Sequence, residues 1–346
     1  MKKKAAFVFL VLLNAITHAQ DHQELLNFEF EEVSLNGVFN SPENTTPKGI
    51  VLIVHGSGRT NAVAQNWYGD VRATLVKAGY STYMWDKMGC GKSGGTFNYN
   101  QSVYNSAAEV IAAITMLKEK QLPGSATIGL WGISRAGWIN PIVINRYKDI
   151  AFWISVSGVD GKENFNYLLE KNLEINGRPK DSIDLILDEL VAGTKISHSG
   201  GSYDAYMEVT PNLRKNPFWL RFTNGGITKE AYDQYQPIFM KEKLDEATGL
   251  QVYIPDFESI LTTVRCPVLA LFGEKDKNVD WEKTKALYEQ TLTPNTAVTI
   301  RSFPDCNHNL FQVETGGFYE MQDHNLPYIR CDGFLKAIAD WLDTME

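Results

Sequence analysis

Cysteine is scarce in this sequence. The 346 residues include four cysteines, namely Cys90, Cys266, Cys306 and Cys331. They are few and scattered, and none shows the C-x-x-C spacing of zinc sites, so neither a zinc site nor a disulfide scaffold is indicated. Cys306 and Cys331 are one possible pair near the C-terminus. The interpretation we favour is that these cysteines are free buried thiols.

The sequence is also short of basic charge and of long apolar runs. Lysine and arginine number 33 against 41 acidic residues, which gives a formal net charge of −8. A nucleic-acid-binding surface needs an excess of basic residues, so this composition argues against a nucleic-acid partner. No stretch after the N-terminal segment is long and apolar enough to span a membrane.

The N-terminal segment resembles a secretory signal. Lys2, Lys3 and Lys4 precede a short apolar run, and Thr17 and Ala19 provide the small residues of a cleavage site. We therefore predict a signal peptide over residues 1–19 and a periplasmic or secreted protein, three charge units more negative after cleavage. An uncleaved N-terminal anchor is the alternative, and stable membrane insertion is not expected after cleavage.

Hydrophobic content of 44% is ample for a large core. Two runs at Phe28–Val33 and Leu35–Phe39 suggest an opening hairpin. Further strands are predicted at Ile50–Val54, Ser81–Trp85, Ala126–Trp131, Ala151–Val156, Val268–Phe272 and Ala297–Phe303. Helices are predicted at Trp67–Ala78, Ser102–Lys120, Trp281–Leu292 and Gly333–Leu342.

This alternation of strands and helices predicts an α/β fold, with a mostly parallel central sheet and helices on both faces. This alternation is absent over residues 161–263, which are rich in aromatic residues. We expect a core formed by residues 20–160 and 264–346, with 161–263 as a mainly helical lid inserted above the carboxyl ends of the strands.

The segment Gly132 to Gly137, with the sequence G-I-S-R-A-G, lies between a predicted strand and a predicted helix. It resembles the G-x-S-x-G nucleophile elbow of α/β-hydrolases, with Ala136 in place of the second glycine. The resemblance implies that Ser134 is the nucleophile and that the backbone N–H of Arg135 donates to an oxyanion. A helix cap is the simpler alternative for Ser134.

The segment His55-Gly56-Ser57-Gly58 ends an apolar strand and resembles the His-Gly oxyanion loop of the same superfamily. The resemblance implies that the backbone N–H of Ser57 is the second oxyanion donor, with Gly58 as the neighbouring candidate. It also implies a structural role for His55, which would orient the loop.

Gly91-Lys92-Ser93 looks like the end of a phosphate-binding P-loop, but that motif needs glycine where Asp86 stands and a helix starting at the lysine. Asp86 to Ser93 instead resembles the D-x-R-G-x-G-x-S turn of α/β-hydrolases, with Met88 in place of arginine. We expect this turn to be structural and to lie beneath the site.

A serine nucleophile needs a base, and the base needs an orienting acid. The superfamily order of serine, acid and histidine implies His308 as the base, since it follows a predicted strand. His198 lies in the insertion, and His324 has no strand before it. Asp276 matches the superfamily's acid position, and Asp160 is the alternative one strand earlier.

The resemblance implies a serine hydrolase that cleaves a carboxylic ester through an acyl-enzyme, without metal or organic cofactor. The expected partner is a small ester or a short peptide. Exported peptidases of the prolyl aminopeptidase type and acyltransferases share this pattern, and carboxylates of the insertion could bind a substrate ammonium (Glu163, Glu170, Glu230 and Asp233). A binding protein without turnover is a further alternative. Dehalogenases and epoxide hydrolases of this superfamily carry aspartate at the elbow, so Ser134 argues against both.

Overall fold

A computed structural model describes residues 22–162, 165–246 and 248–345 of the chain. The predicted signal peptide lies outside these ranges. The strands are β1 (His22–Leu25), β2 (Phe28–Phe30), β3 (Val33–Leu35), β4 (Gly37–Ser41), β5 (Ile50–Val54), β6 (Ser81–Trp85), β7 (Ile128–Ile133), β8 (Ile150–Val156), β9 (Lys243–Leu244), β10 (Gln251–Val252), β11 (Val268–Gly273) and β12 (Val298–Phe303).

The helices surround a central sheet. They are α1 (Gly69–Lys77), α2 (Val103–Glu119), α3 (Ala136–Arg146), α4 (Phe165–Ile175), α5 (Lys180–His198), α6 (Tyr203–Val209), α7 (Pro217–Phe222), α8 (Lys229–Phe239), α9 (Phe257–Leu261), α10 (Trp281–Thr291), α11 (Glu320–Asp323) and α12 (Phe334–Asp343). In the described ranges, no helix has the length and apolarity that a bilayer span requires.

The central sheet has eight strands in the order β1-β4-β6-β5-β7-β8-β11-β12. The pairs β1–β4 and β4–β6 are antiparallel. The other six strands of this sheet, β6, β5, β7, β8, β11 and β12, pair in parallel in that order. This arrangement confirms the predicted α/β class and the mostly parallel sheet. The carboxyl ends of the parallel strands meet at one edge, which is where sheets of this kind place their sites.

Strand β5 shows why the sequences of the central strands are continuous apolar runs. Ile50, Leu52 and Val54 pack on one face of the sheet, and Val51 and Ile53 pack on the other. Successive side chains of a strand point to opposite faces, so a strand covered by helices on both sides must be apolar throughout. The first face is covered by α2, α3, α9 and α10, and the second by α1 and α12.

The N-terminal hairpin differs from the prediction. β2 and β3 form a short antiparallel pair, whereas β4 joins the main sheet between β1 and β6. All residues of β4 are buried. Its backbone hydrogen bonds are therefore satisfied by sheet neighbours that are distant in sequence, which local alternation cannot reveal.

The segment 161–263 contains α4 to α9 and the β9–β10 pair. It has a hydrophobic cluster of its own, formed with Leu169, Leu173, Phe218 and Trp219. Many of its aromatics therefore stabilise the segment itself. It also contacts the core, because the hydroxyl of Tyr167 donates a hydrogen bond to the backbone carbonyl of Asp276 at 3.2 Å.

The expectation of free thiols is wrong for one pair of cysteines. Cys306 and Cys331 form a disulfide, with Cα atoms 6.0 Å apart, whereas Cys90 and Cys266 are buried and free. The chain after β12 folds back on itself, and the backbone N–H of Cys331 donates to the carbonyl of Leu310. That return brings together two cysteines 25 residues apart.

Replacing Cys306 and Cys331 together by serine is expected to lower the free energy of unfolding by about 3 kcal/mol, because the disulfide restricts the unfolded chain. Equilibrium denaturation in urea measures this loss. Reductant should destabilise the wild type to a similar extent and leave the double variant unchanged. Equal stability of the oxidised wild type and the variant would contradict the expectation.

Candidate active site

Ser134 lies in a sharp turn between β7 and α3, and its backbone is left-handed with φ of 57°. Its N–H donates to the carbonyl of Val156 at 3.0 Å. A Cβ atom on Gly132 would lie 2.7 Å from the Cβ of Ala136, so the first position of the turn requires glycine. A non-glycine residue in this conformation costs about 1–3 kcal/mol, and such strain is concentrated at functional sites.

His308 and Asp276 are joined by a hydrogen bond. His308 Nδ1 donates to Asp276 Oδ2 at 2.7 Å. The other carboxylate oxygen, Oδ1, accepts the backbone N–H groups of Asn278 at 2.8 Å and Val279 at 3.1 Å. Asp276 is fully buried and His308 is 7% exposed. The carboxylate is therefore held in place, and the Nε2 atom of His308 is the nitrogen left to accept a proton.

The other candidate acid and bases lie elsewhere in the fold. Asp160 lies with its carboxylate 3.1 Å from the ammonium of Lys283 and accepts the N–H of Lys162. His198 belongs to α5, where Nδ1 contacts the carbonyl of Thr194 at 2.8 Å and the ring stacks on Phe239. His324 follows the short helix α11. Asp276, rather than Asp160, is the acid that contacts His308.

Ser134, Asp276 and His308 follow β7, β11 and β12 respectively, at the same edge of the sheet. In the part of the chain that is described, no hydrogen bond joins the Ser134 hydroxyl to His308. Nucleophile and base are often too far apart for a good hydrogen bond before a substrate binds. The arrangement thus contains an oriented histidine–carboxylate pair and a strained serine on neighbouring loops.

The loop after β5 lies directly beside the serine. A Cβ atom on Gly56 would stand 3.1 Å from the Cβ of Ser134. Ser57 is exposed. Within the described ranges, the N–H groups of Ser57 and Arg135 donate to no backbone carbonyl. Both donors are therefore available to a ligand.

His55 is buried at the end of β5, where its Nε2 donates to the carbonyl of Trp85 at 2.7 Å. Burial, with a smaller effect from the charge of Lys87, lowers its pKa to about 3. The imidazole is therefore neutral at ordinary pH. This environment supports the expected structural role of His55.

One feature that the sequence interpretation missed is a partly buried charged cluster beneath the site. Lys87, Glu109 and Arg135 line a small cavity of about 20 Å³. Arg135 donates to the Ser106 hydroxyl at 3.0 Å, and Glu109 accepts the indole N–H of Trp85 at 2.6 Å. Burial raises the pKa of Glu109, although its hydrogen bonds and nearby cations oppose this. A sequence signal existed, because Glu109 is a carboxylate beside the apolar face of α2.

Among the described residues, no group of three or more His, Cys, Asp and Glu side chains is arranged to hold a metal ion. The polar groups of the site are instead a hydroxyl, an imidazole, a carboxylate and backbone N–H donors. This set of groups is suited to nucleophilic acyl transfer.

Two family models match separate parts of the chain. That of the serine aminopeptidase family S33 matches residues 45–177, and that of the dienelactone hydrolase family matches residues 253–338. A comparison with curated protein sequences finds no match.

Several solved structures share the fold. The esterase Pf2001 of Pyrococcus furiosus has a TM-score of 0.51 at 16% identity, over 94% of this chain and 93% of that one. The proline iminopeptidase of Mycobacterium smegmatis has a TM-score of 0.50 at 15% identity, over 93% and 98%. DcsB, solved with a substrate analogue, has a TM-score of 0.53 at 15% identity, over 94% and 98%.

Sheet topology, family matches and structural neighbours agree. The chain belongs to the α/β-hydrolase superfamily. Within that superfamily, both matching families support hydrolase activity.

Proposed function

We propose that this protein is a serine hydrolase that cleaves a carboxylic ester through an acyl-enzyme. The proposal rests on two features that lie at one edge of the sheet. Ser134 has a strained backbone with φ of 57°, and His308 is hydrogen-bonded to Asp276 at 2.7 Å. Serine is a weak nucleophile by itself, so a neighbouring base held by a carboxylate is the partner it requires.

In the first half-reaction, His308 Nε2 accepts the proton of Ser134 while Oγ bonds to the substrate carbonyl carbon. The N–H groups of Ser57 and Arg135 stabilise the oxyanion. Asp276 holds the tautomer of His308 and stabilises its cation. The carbon–oxygen bond to the alcohol then breaks, and His308 gives its proton to that alcohol.

In the second half-reaction, a water molecule gives its proton to His308 and attacks the acyl carbon. The bond to Ser134 then breaks, and the proton returns to Oγ as the carboxylic acid leaves. Transfer of the acyl group to another alcohol would replace water in this step, which is how an acyltransferase would use the same residues.

A peptidase of the prolyl aminopeptidase type is the second candidate, and the S33 family match is the observation that favours it. Such an enzyme must bind an ammonium with carboxylates. Of the acids considered for this role, Glu163 lies outside the described residues. Asp233 forms a surface salt bridge with Lys229 at 2.5 Å, and Glu230 is exposed. These positions give the peptidase less support than the ester hydrolase.

We also propose that residues 161–263 form a lid. The contact of Tyr167 with the carbonyl of Asp276 supports this, and so does the hydrogen bond at 3.2 Å from the Asn172 side chain to the carbonyl of Lys277. Both place α4 against the loop that carries the acid.

Export through a signal peptide over residues 1–19 likewise remains a proposal. The Cys306–Cys331 disulfide supports it, because disulfides persist in oxidising compartments.

The proposal is tested by assaying residues 20–346 against p-nitrophenyl esters of increasing acyl length and against aminoacyl p-nitroanilides. We expect turnover of esters, with a preferred acyl length that measures the pocket. Faster cleavage of anilides than of esters would favour the peptidase. If neither class is cleaved and a fluorophosphonate does not label the protein, the serine hydrolase assignment is wrong.

A further inference from the structure

The turn that follows β6, from Asp86 to Ser93, packs against the loop that follows β5. The Asp86 carboxylate accepts the N–H of Ala62 at 2.6 Å, and the N–H of Lys87 donates to the Thr60 hydroxyl at 2.8 Å. Two neighbouring parallel strands thus end in loops that are tied to each other. Any side chain of the turn that reaches the Gly56–Gly58 segment therefore acts next to the serine.

Lys87 is that side chain. Its ammonium donates to the carbonyl of Gly56 at 2.5 Å and to the carbonyl of Gly58 at 2.9 Å. Two of the three donors of the ammonium are thereby used on the backbone of one short loop. Hydrogen bonds from a charged donor are about twice as strong as neutral ones, so these contacts fix the loop firmly.

The direction of the Gly56 carbonyl determines the direction of the Ser57 N–H. Both groups belong to one peptide unit, which is planar, and in a trans peptide they point to opposite sides. The described residues include no cis peptide bond. Because Lys87 holds the carbonyl on the turn side, the N–H of Ser57 is turned to the opposite side, away from Lys87.

Charged groups of both signs surround the ammonium of Lys87. Burial, with the nearby charge of Arg135, lowers the pKa of Lys87 to about 8, and the carboxylate of Glu109 opposes this. His55 also lines the cavity and stays neutral. The ammonium therefore remains mostly protonated near pH 7 and keeps its donors.

We propose that Lys87 is a positioning residue that aims the Ser57 N–H at the oxyanion, by holding the carbonyls of Gly56 and Gly58 on the far side of the loop. This inference rests on the proposed serine hydrolase function. Without the ammonium, the Gly56–Ser57 peptide unit loses its anchor and rotates more freely, since glycine restricts the backbone little. The misaligned donor would then weaken binding of the transition state more than binding of the substrate, because the oxyanion carries its charge in the transition state.

The test compares Lys87→Met with Lys92→Met, a matched control because Lys92 is an exposed lysine of the same turn. For the p-nitrophenyl ester that the wild type cleaves best, Lys87→Met is expected to lower kcat by about 10- to 100-fold with KM within about threefold. Removal of an oxyanion donor itself costs about 10²- to 10³-fold, so partial misalignment should cost less. The inhibition constant of a trifluoromethyl ketone, which forms an oxyanion on the serine, should rise by a similar factor.

Lys92→Met should match the wild type in both measurements. If Lys87→Met does not fold, Lys87→Gln keeps a polar head in the cavity and should show a smaller loss in the same direction. A folded Lys87 variant with wild-type kcat and wild-type inhibition would overturn the role of Lys87 alone. A wild type that shows neither ester turnover nor labelling of Ser134 by a fluorophosphonate would overturn the proposed function, and this inference with it.

Discussion

Replacing Ser134 by alanine is expected to lower kcat for the preferred ester by about 10⁴- to 10⁶-fold, because no other group can form the acyl-enzyme. KM should change little, since the hydroxyl contributes little to binding of the ground state. Ester cleavage followed at 405 nm measures the loss, and fluorophosphonate labelling followed by mass spectrometry shows whether residue 134 is the site of attack. The variant should lose both signals together.

The matched control is Ser259→Ala, since Ser259 is an exposed serine of α9. It should retain wild-type turnover and labelling. Alanine at position 134 keeps the left-handed backbone of the elbow, so the free energy of unfolding should stay close to that of the wild type. A folded Ser134→Ala protein with substantial ester turnover would show that a different group carries the reaction.

Asparagine at position 276 is expected to lower kcat by about 10⁴-fold. The Asp276 carboxylate accepts the Nδ1 proton of His308 at 2.7 Å, and this contact leaves Nε2 free to act as the base. An amide that presents its NH₂ group to Nδ1 would stabilise the opposite tautomer, with the proton on Nε2. The amide oxygen can still accept the N–H groups of Asn278 and Val279, so the loop should remain folded.

Asp160→Asn is the comparison that separates the two candidate acids. Asp160 pairs with Lys283 rather than with His308, so its replacement should lower kcat by less than about tenfold. Both variants should be measured with the same ester, and their folding compared by circular dichroism. A large loss in Asp160→Asn together with a small one in Asp276→Asn would reverse the assignment of the acid.

The candidate site could be predicted in part from the sequence because each of its residues follows a strand that local sequence patterns indicate. Ser134 follows β7, His308 follows β12, and both strands are recognisable from local composition. The choice between Asp160 and Asp276 was not available in this way. That choice depends on which carboxylate contacts His308. The contact between Asp276 and His308 joins residues that are 32 positions apart in the chain.

Lys87 and Glu109 show a second limit of the sequence. The turn from Asp86 to Ser93 was expected to be structural, but no local pattern indicates that Lys87 reaches the carbonyls of Gly56 and Gly58, about 30 residues earlier in the chain. Glu109 is one of the buried residues of α2, where a carboxylate is unusual. The hydrogen bonds that stabilise its carboxylate come from Trp85 and Gln101 and depend on the packing of α2 against the sheet.

The sequence by itself determined the α/β class, the buried parallel strands and the amphipathic helices. These follow from side-chain period and chain stiffness within a few residues, which are local properties. The tertiary structure alone decided that β4 joins the main sheet, that Cys306 pairs with Cys331, that Asp276 contacts His308 and that Lys87 holds the Gly56–Gly58 loop. Each of these contacts joins positions distant in the chain, and its energy depends on distances and burial that exist only after the sheet has formed.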